Sequence, residues 1–202
     1  MAKTGKKSPT LFFWLSLLTS AVTPVMFVFN WFSFQVASFG IYNLEQQKFH
    51  LWQIEDCATV INSTKENGSL AYIDKAVDGS TLAQIAMIAM YATVGAMILH
   101  VLVSLVLVRR TPPIGFIPGG IAVATGLGFL IAHARINQYL LEHQADKLDT
   151  LIFQSSVFPF LVIILGVATI VLGLFHRQES RALYAVKHPR AFVFPPENPE
   201  IV

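Results

Sequence analysis

The chain has 202 residues, 54% of them hydrophobic and only 13% charged, with a formal net charge of +2 and a mean hydropathy of +0.58. Soluble domains carry about 25% charged residues, so this composition excludes an ordinary water-soluble domain and points to a membrane protein. The near-neutral balance offers no basic footprint for nucleic acid.

Taken in chain order, a short basic start (residues 1–10, with Lys3, Lys6 and Lys7) leads into the run "LFFWLSLLTSAVTPVMFVFNW", residues 11–31. Its length exceeds the roughly 7–15 apolar residues of a cleaved secretory signal, so a retained helix is expected. Three further runs follow at 82–108, 114–132 and 151–175, and none of the four contains Asp, Glu, Lys or Arg. About 20 apolar residues at helical rise cross a bilayer, and lipid forces each span to satisfy its backbone internally. The expected fold class is therefore an all-α membrane protein, a four-transmembrane-helix bundle. Pro24 and Asn30 are expected to bend the first helix and engage a neighbour.

The connection 32–81 is much longer than the others. It opens with "FSFQVASF", in which Phe32, Phe34 and Val36 alternate with Ser33, Gln35 and Ala37, the period-2 pattern of a half-buried strand. "IYNLEQQ" reads as a turn and "KFHLWQI" as a returning strand, so a small antiparallel sheet is expected in this loop. The loop also holds the only cysteine, Cys57, and two glycosylation acceptor patterns, "NST" at Asn62 and "NGS" at Asn67.

In the second run, His100 is the one ionisable residue well inside an apolar segment, a default candidate for a proton or ion role, although it lies close to the interface near Arg109. A short connection, 109–113, leads to the third run. Its small residues Gly115, Gly119, Gly120 and Ala124 let helices approach closely, a signal for packing within the bundle and, more sharply, for oligomerisation. The connection 133–150, "HARINQYLLEHQADKLDT", permits the third helix to continue beyond the bilayer. His133, Glu142, His143 and Asp146 lie here, but without the compact spacing of a transition-metal site, so a solvated helix face is expected and no metal. The tail, 176–202, is proline-rich near its end. Its last residues Glu200, Ile201 and Val202 could add as a strand to a PDZ-type groove on a cytoplasmic scaffold.

Four spans place both termini and the 109–113 connection on one side. That side holds nine of the 14 basic residues, while nine of the 12 acidic residues fall on the other. Positive residues favour the cytoplasm, so both termini are expected there, with the long loop outside. Catalytic patterns are missing. One cysteine cannot make a paired redox site, and no phosphate loop, metalloprotease helix or nucleophile elbow is present. No enzyme activity and no cofactor are expected.

With Trp31 where the first helix meets the loop, Leu51-Trp52 about twenty residues later and Cys57 beyond, the chain resembles the claudin and peripheral myelin protein superfamily of tetraspan proteins, which includes channel gamma subunits and fungal relatives. That family carries a tryptophan at the end of helix one, then Gly-Leu-Trp, then two cysteines, in a long first outer loop. Here His50 stands at the glycine position, Cys57 follows Trp52 by five residues, and there is no second cysteine. The family's loop disulfide, worth roughly 3 kcal/mol for a loop of about 15 residues, therefore cannot form within this chain. The resemblance implies a left-handed bundle capped by the sheet, with Trp31, Leu51 and Trp52 packing the one on the other. It also implies a plasma-membrane protein acting through contacts: cell adhesion, junction or membrane-domain organisation. Its partners would be the lipid bilayer and either a membrane protein or further copies of itself. An accessory subunit of a channel, transporter or larger complex is the alternative, and a small enzyme or transporter using His100 and the outer histidines is a third.

Overall fold

The computed structural model describes residues 10–38, 41–42, 46–54, 81–107, 115–144 and 149–187. Four helices dominate: α1 (Leu11–Val22), α2 (Thr81–Val106), α3 (Phe116–Gln144) and α4 (Phe158–Lys187). They carry four segments long and apolar enough to cross a bilayer, Leu11–Val28, Gln84–Val106, Phe116–Glu142 and Phe158–Glu179, and the chain is a four-span membrane protein. Only 22–33% of each segment is buried within the molecule. Large exposed residues such as Leu18, Ile88 and Ile164 are therefore the lipid-facing surface rather than an aggregation hazard.

Local sequence explains how the first span begins and changes form. Thr10 caps α1, its hydroxyl accepting from the Phe13 N–H at 3.3 Å, which satisfies one of the donors that a helix start leaves free. Pro24 has no N–H to continue the helical ladder, and residues Thr23–Val28 tighten into a 3-10 helix. The helices close as a ring, α1 lying against α2 and α4, and α3 against the same two. The α3–α4 seam is backbone-close: a Cβ added to Gly119 would lie 2.6 Å from the Gly166 carbonyl oxygen, and one on Gly166 would lie 2.8 Å from that of Gly119.

At one end of the ring sits an antiparallel sheet of β1 (Phe32–Ser38), β2 (Ile41–Tyr42), β3 (Gln47–Phe49) and β4 (Asp149–Ser155). β4 pairs with the whole of β1, from Phe32↔Ser155 to Ser38↔Asp149. That edge being full, the short β2 and β3 both line the other. Three features depart from the sequence reading. Ile41–Tyr42 is strand rather than turn. The returning strand stops at Phe49, and Leu51–Gln53 forms a 3-10 turn. The longest strand partner comes not from the first loop but from residues 149–155, where the apolar run had been expected to begin the fourth helix at Leu151.

The reason lies at the start of α4. The Ser156 hydroxyl accepts from the Phe158 N–H at 3.3 Å, and Pro159 occupies the first turn, where a missing N–H costs nothing. The helix therefore starts there, and the residues before it are left to pair with β1. The third helix does run on past the apolar segment, to Gln144.

Candidate functional site

The sheet-bearing end of the bundle is built around a cluster of rings. Strand alternation turns Phe32 and Phe34 of β1, Phe49 of β3 and Phe153 of β4 towards the bundle, and all four are buried. Phe34 stacks on Phe153 at 4.6 Å, Phe32 on Phe49 at 5.4 Å, and Phe129 of α3 reaches up beside Phe32 at 6.2 Å. Each such pair contributes about 0.5–1.5 kcal/mol beyond the area it buries.

Trp31 joins this cluster to the first span. It is fully buried (0% exposed), stacked on Phe27 at 4.8 Å and set edge-on to Phe129 at 5.2 Å. Its indole N–H donates to the Met26 carbonyl at 3.0 Å. Its backbone ties both edges of the sheet: the N–H donates to Phe49 O at 2.8 Å, and the carbonyl accepts from Ser156 N at 2.9 Å. One residue thus connects the end of helix one, the returning strand and the entry to α4.

Leu51 is 1% exposed and belongs to the same core, with Ile54. Trp52 does not pack the sheet on the bundle as the resemblance implied. It is 38% exposed, and its ring lies flat on His50 at 4.4 Å and 7°, because the 3-10 turn that buries Leu51 directs the next side chain outward. His50, at the position where the family has glycine, supplies the surface it stacks on. Cys57, Asn62, Asn67, Glu200, Ile201 and Val202 lie outside the described residues.

The small residues of the third span divide between two faces. Gly115 and Gly119 meet α4, a Cβ on Gly115 falling 2.8 Å from the Thr169 carbonyl. Gly120 has no atom within 4 Å of a built Cβ. Ala124 and Gly128 line a groove of about 140 Å3 between α2 and α3, whose lining also includes Ala86, Ala89, Leu51 and Ile54. Gly126, another small residue of the same run, belongs with the first group: its Cβ would lie 2.9 Å from Pro159 O.

At the opposite half of the bundle the helices are joined by polar side chains. The Ser20 hydroxyl donates to the Ser16 carbonyl at 3.0 Å and lies 2.8 Å from His100 Nδ1. A hydroxyl has one proton, so both contacts are satisfied when the imidazole carries its hydrogen on Nδ1 and leaves Nε2 bare. Thr19 meets Thr169 at 2.8 Å, Thr10 meets His176 at 2.7 Å, and Thr93 meets Thr125 at 2.8 Å. Buried Ser16 Oγ, Ser104 Oγ and His100 Nε2 have no hydrogen-bond partner among the described residues. His100 of α2 bonds to the Ser20 hydroxyl of α1, so its visible role is to join the two helices.

His133 packs on Phe153 at 4.7 Å and meets the Asn137 amide at 3.2 Å, while Glu142 accepts from Gln138 at 3.0 Å. Among the described residues no three His, Cys, Asp or Glu side chains converge as a metal site. No protein-family model matches the chain, and no curated protein does so.

Proposed function

We propose that this chain is a claudin-like tetraspan of the plasma membrane, with both termini in the cytoplasm, that acts through protein contacts in cell adhesion, junctions or membrane-domain organisation rather than through catalysis. The observation that carries this reading is Trp31. Its ring sits in the core shared by sheet and bundle, and its backbone bonds to β3 and to the entry of α4. Force or position applied to the sheet therefore passes directly to the spans, as a contact protein requires. The exposed Trp52, held flat on His50, is a preformed aromatic anchor of the kind that dominates interface energetics. Asn62 and Asn67, on the same loop, are proposed as glycan sites.

The test is to mix cells that express a tagged chain with cells that do not, and to image it together with its native size. Enrichment at contacts between two expressing cells, with assemblies larger than one chain, is the expected result. An even distribution of single chains overturns the proposal.

The second reading, an accessory subunit of a channel or transporter, is favoured by the groove between α2 and α3, whose small Ala and Gly residues leave room for the close approach of another helix. It predicts co-purification of a single larger membrane partner, lost when Ala124 is replaced by Leu; persistence of the complex in that variant counts against it.

A further inference from the structure

Where the Ser33 face of the sheet meets the end of the first span and the start of α4, there is an open pocket of about 290 Å3. Its apolar wall is Phe29 and Phe158, stacked at 4.6 Å and 3°. Phe29 directly follows the first span and Phe158 is the first residue of the fourth, so this pair marks the level at which the apolar segments end. Aromatic rings favour that boundary.

Above the rings lies a row of polar side chains set by strand register. Ser33 stands opposite Lys48 on β3 and opposite Gln154 on β4, so Lys48, Ser33 and Gln154 share one face across three strands. Gln46 organises the row. Its amide N–H groups donate to Ser33 Oγ at 2.7 Å and to Gln154 Oε1 at 3.2 Å. Both acceptors thereby meet a donor, and the Ser33 O–H, the Gln154 NH2 and the Lys48 ammonium remain as donors, beside the Asn30 amide, which can donate or accept. Ser33 is buried, at 8% exposed, and lines the pocket. Ser156, at the N-terminal end of α4, lines the same space, and the positive end of a helix dipole adds to the field there. Among the described residues of the lining, Lys48 is the only charged one and none is a carboxylate.

We infer that this pocket binds the phosphate-bearing headgroup of an anionic phospholipid in the leaflet on the sheet side. Two neutral donors and one cation match the oxygens of a phosphodiester, charge-assisted bonds being the stronger ones. The Phe29–Phe158 wall matches the glycerol and first acyl carbons just below. The Lys48 ammonium repels the ammonium of a zwitterionic headgroup and attracts the phosphate, which sets the preference for net negative charge. This assignment is independent of any role in cell contact.

The test is native mass spectrometry of the full chain released from nanodiscs of phosphatidylglycerol and phosphatidylcholine in equal parts. The expected result is retention of phosphatidylglycerol, reduced about tenfold by Lys48→Gln and several-fold by Ser33→Ala. Arg135→Gln, which removes an exposed cation elsewhere on the sheet side, is expected to change nothing. Lys48 is at the surface, so its variant folds, and an unchanged melting temperature checks that it does. Equal retention of the two lipids, or unchanged retention in Lys48→Gln, overturns the inference. So does displacement of the lipid by soluble glycerol phosphate at equal concentration, which would place the specificity in free phosphate, or by a polyglutamate peptide, which would make the pocket a protein-docking site.

Discussion

The two halves of this molecule are held together by different forces. At the sheet end, rings from three strands, one helix and the Trp31 junction form a continuous apolar core. In the opposite half the helices are joined by hydroxyl and imidazole groups, Ser20 with His100, Thr19 with Thr169 and Thr10 with His176. The difference follows from the solvent. Beyond the bilayer, water drives apolar rings together. Within lipid, the surroundings are as apolar as a leucine side chain, so close backbone packing and hydrogen bonds must assemble the helices instead. The glycine contacts between α3 and α4 are the packing component of the same solution.

The largest effect should come from the ring half. Trp31→Ala removes the shared anchor and is expected to cost about 3–5 kcal/mol, seen as a lower melting temperature and as earlier proteolysis of the sheet. If the sheet stayed protected, sheet and bundle would not be one unit. A smaller effect is expected from the packing seam: Gly119→Val forces a side chain against Gly166 and should cost about 1–3 kcal/mol. Gly120→Val, one position on with open space around it, should be nearly neutral, and equal costs at the two positions would contradict the assigned faces. Smaller again is the polar half. A double-mutant cycle of Ser20→Ala and His100→Ala should return a coupling of about 0.6 kcal/mol and no more than about 1.7, with zero coupling placing the two side chains out of contact. Least of all, Trp52→Ala should leave stability within about 0.5 kcal/mol of the parent, because the ring lies on the surface.

Much of this was readable beforehand where one physical rule acts alone. Length and the absence of charge identify four spans, and alternation from Phe32 to Phe34 marks the first strand. The rule fails where two signals overlap. Residues 151–155 begin with Leu151, Ile152 and Phe153 and carry no charge, so they read on into the helix that follows, only Ser156 and Pro159 reveal the boundary, and the strand partner of β1 is hidden. The small residues of the third span are equally ambiguous. Spacing of four places residues on one helix side, yet Gly119 and Gly120 are adjacent and only Gly119 meets a neighbouring helix. The donor row of Lys48, Ser33 and Gln154 depends on a register between strands more than a hundred residues apart, which no local pattern encodes. Trp52 differs for another reason: only the resemblance sets it with Leu51 against the bundle, and the 3-10 turn that sends it outward is too short to leave a periodic trace.

The central claim, that a sheet rigidly joined to the spans presents Trp52 to partners, is tested most directly by one ratio. That ratio is the intensity of tagged protein at contacts between expressing cells against free membrane, measured for the parent chain and for Trp52→Ala at matched surface levels. The account predicts a ratio well above one for the parent and close to one for Trp52→Ala, with both chains equally stable. A parent ratio of one, or an undiminished ratio in Trp52→Ala, would contradict it.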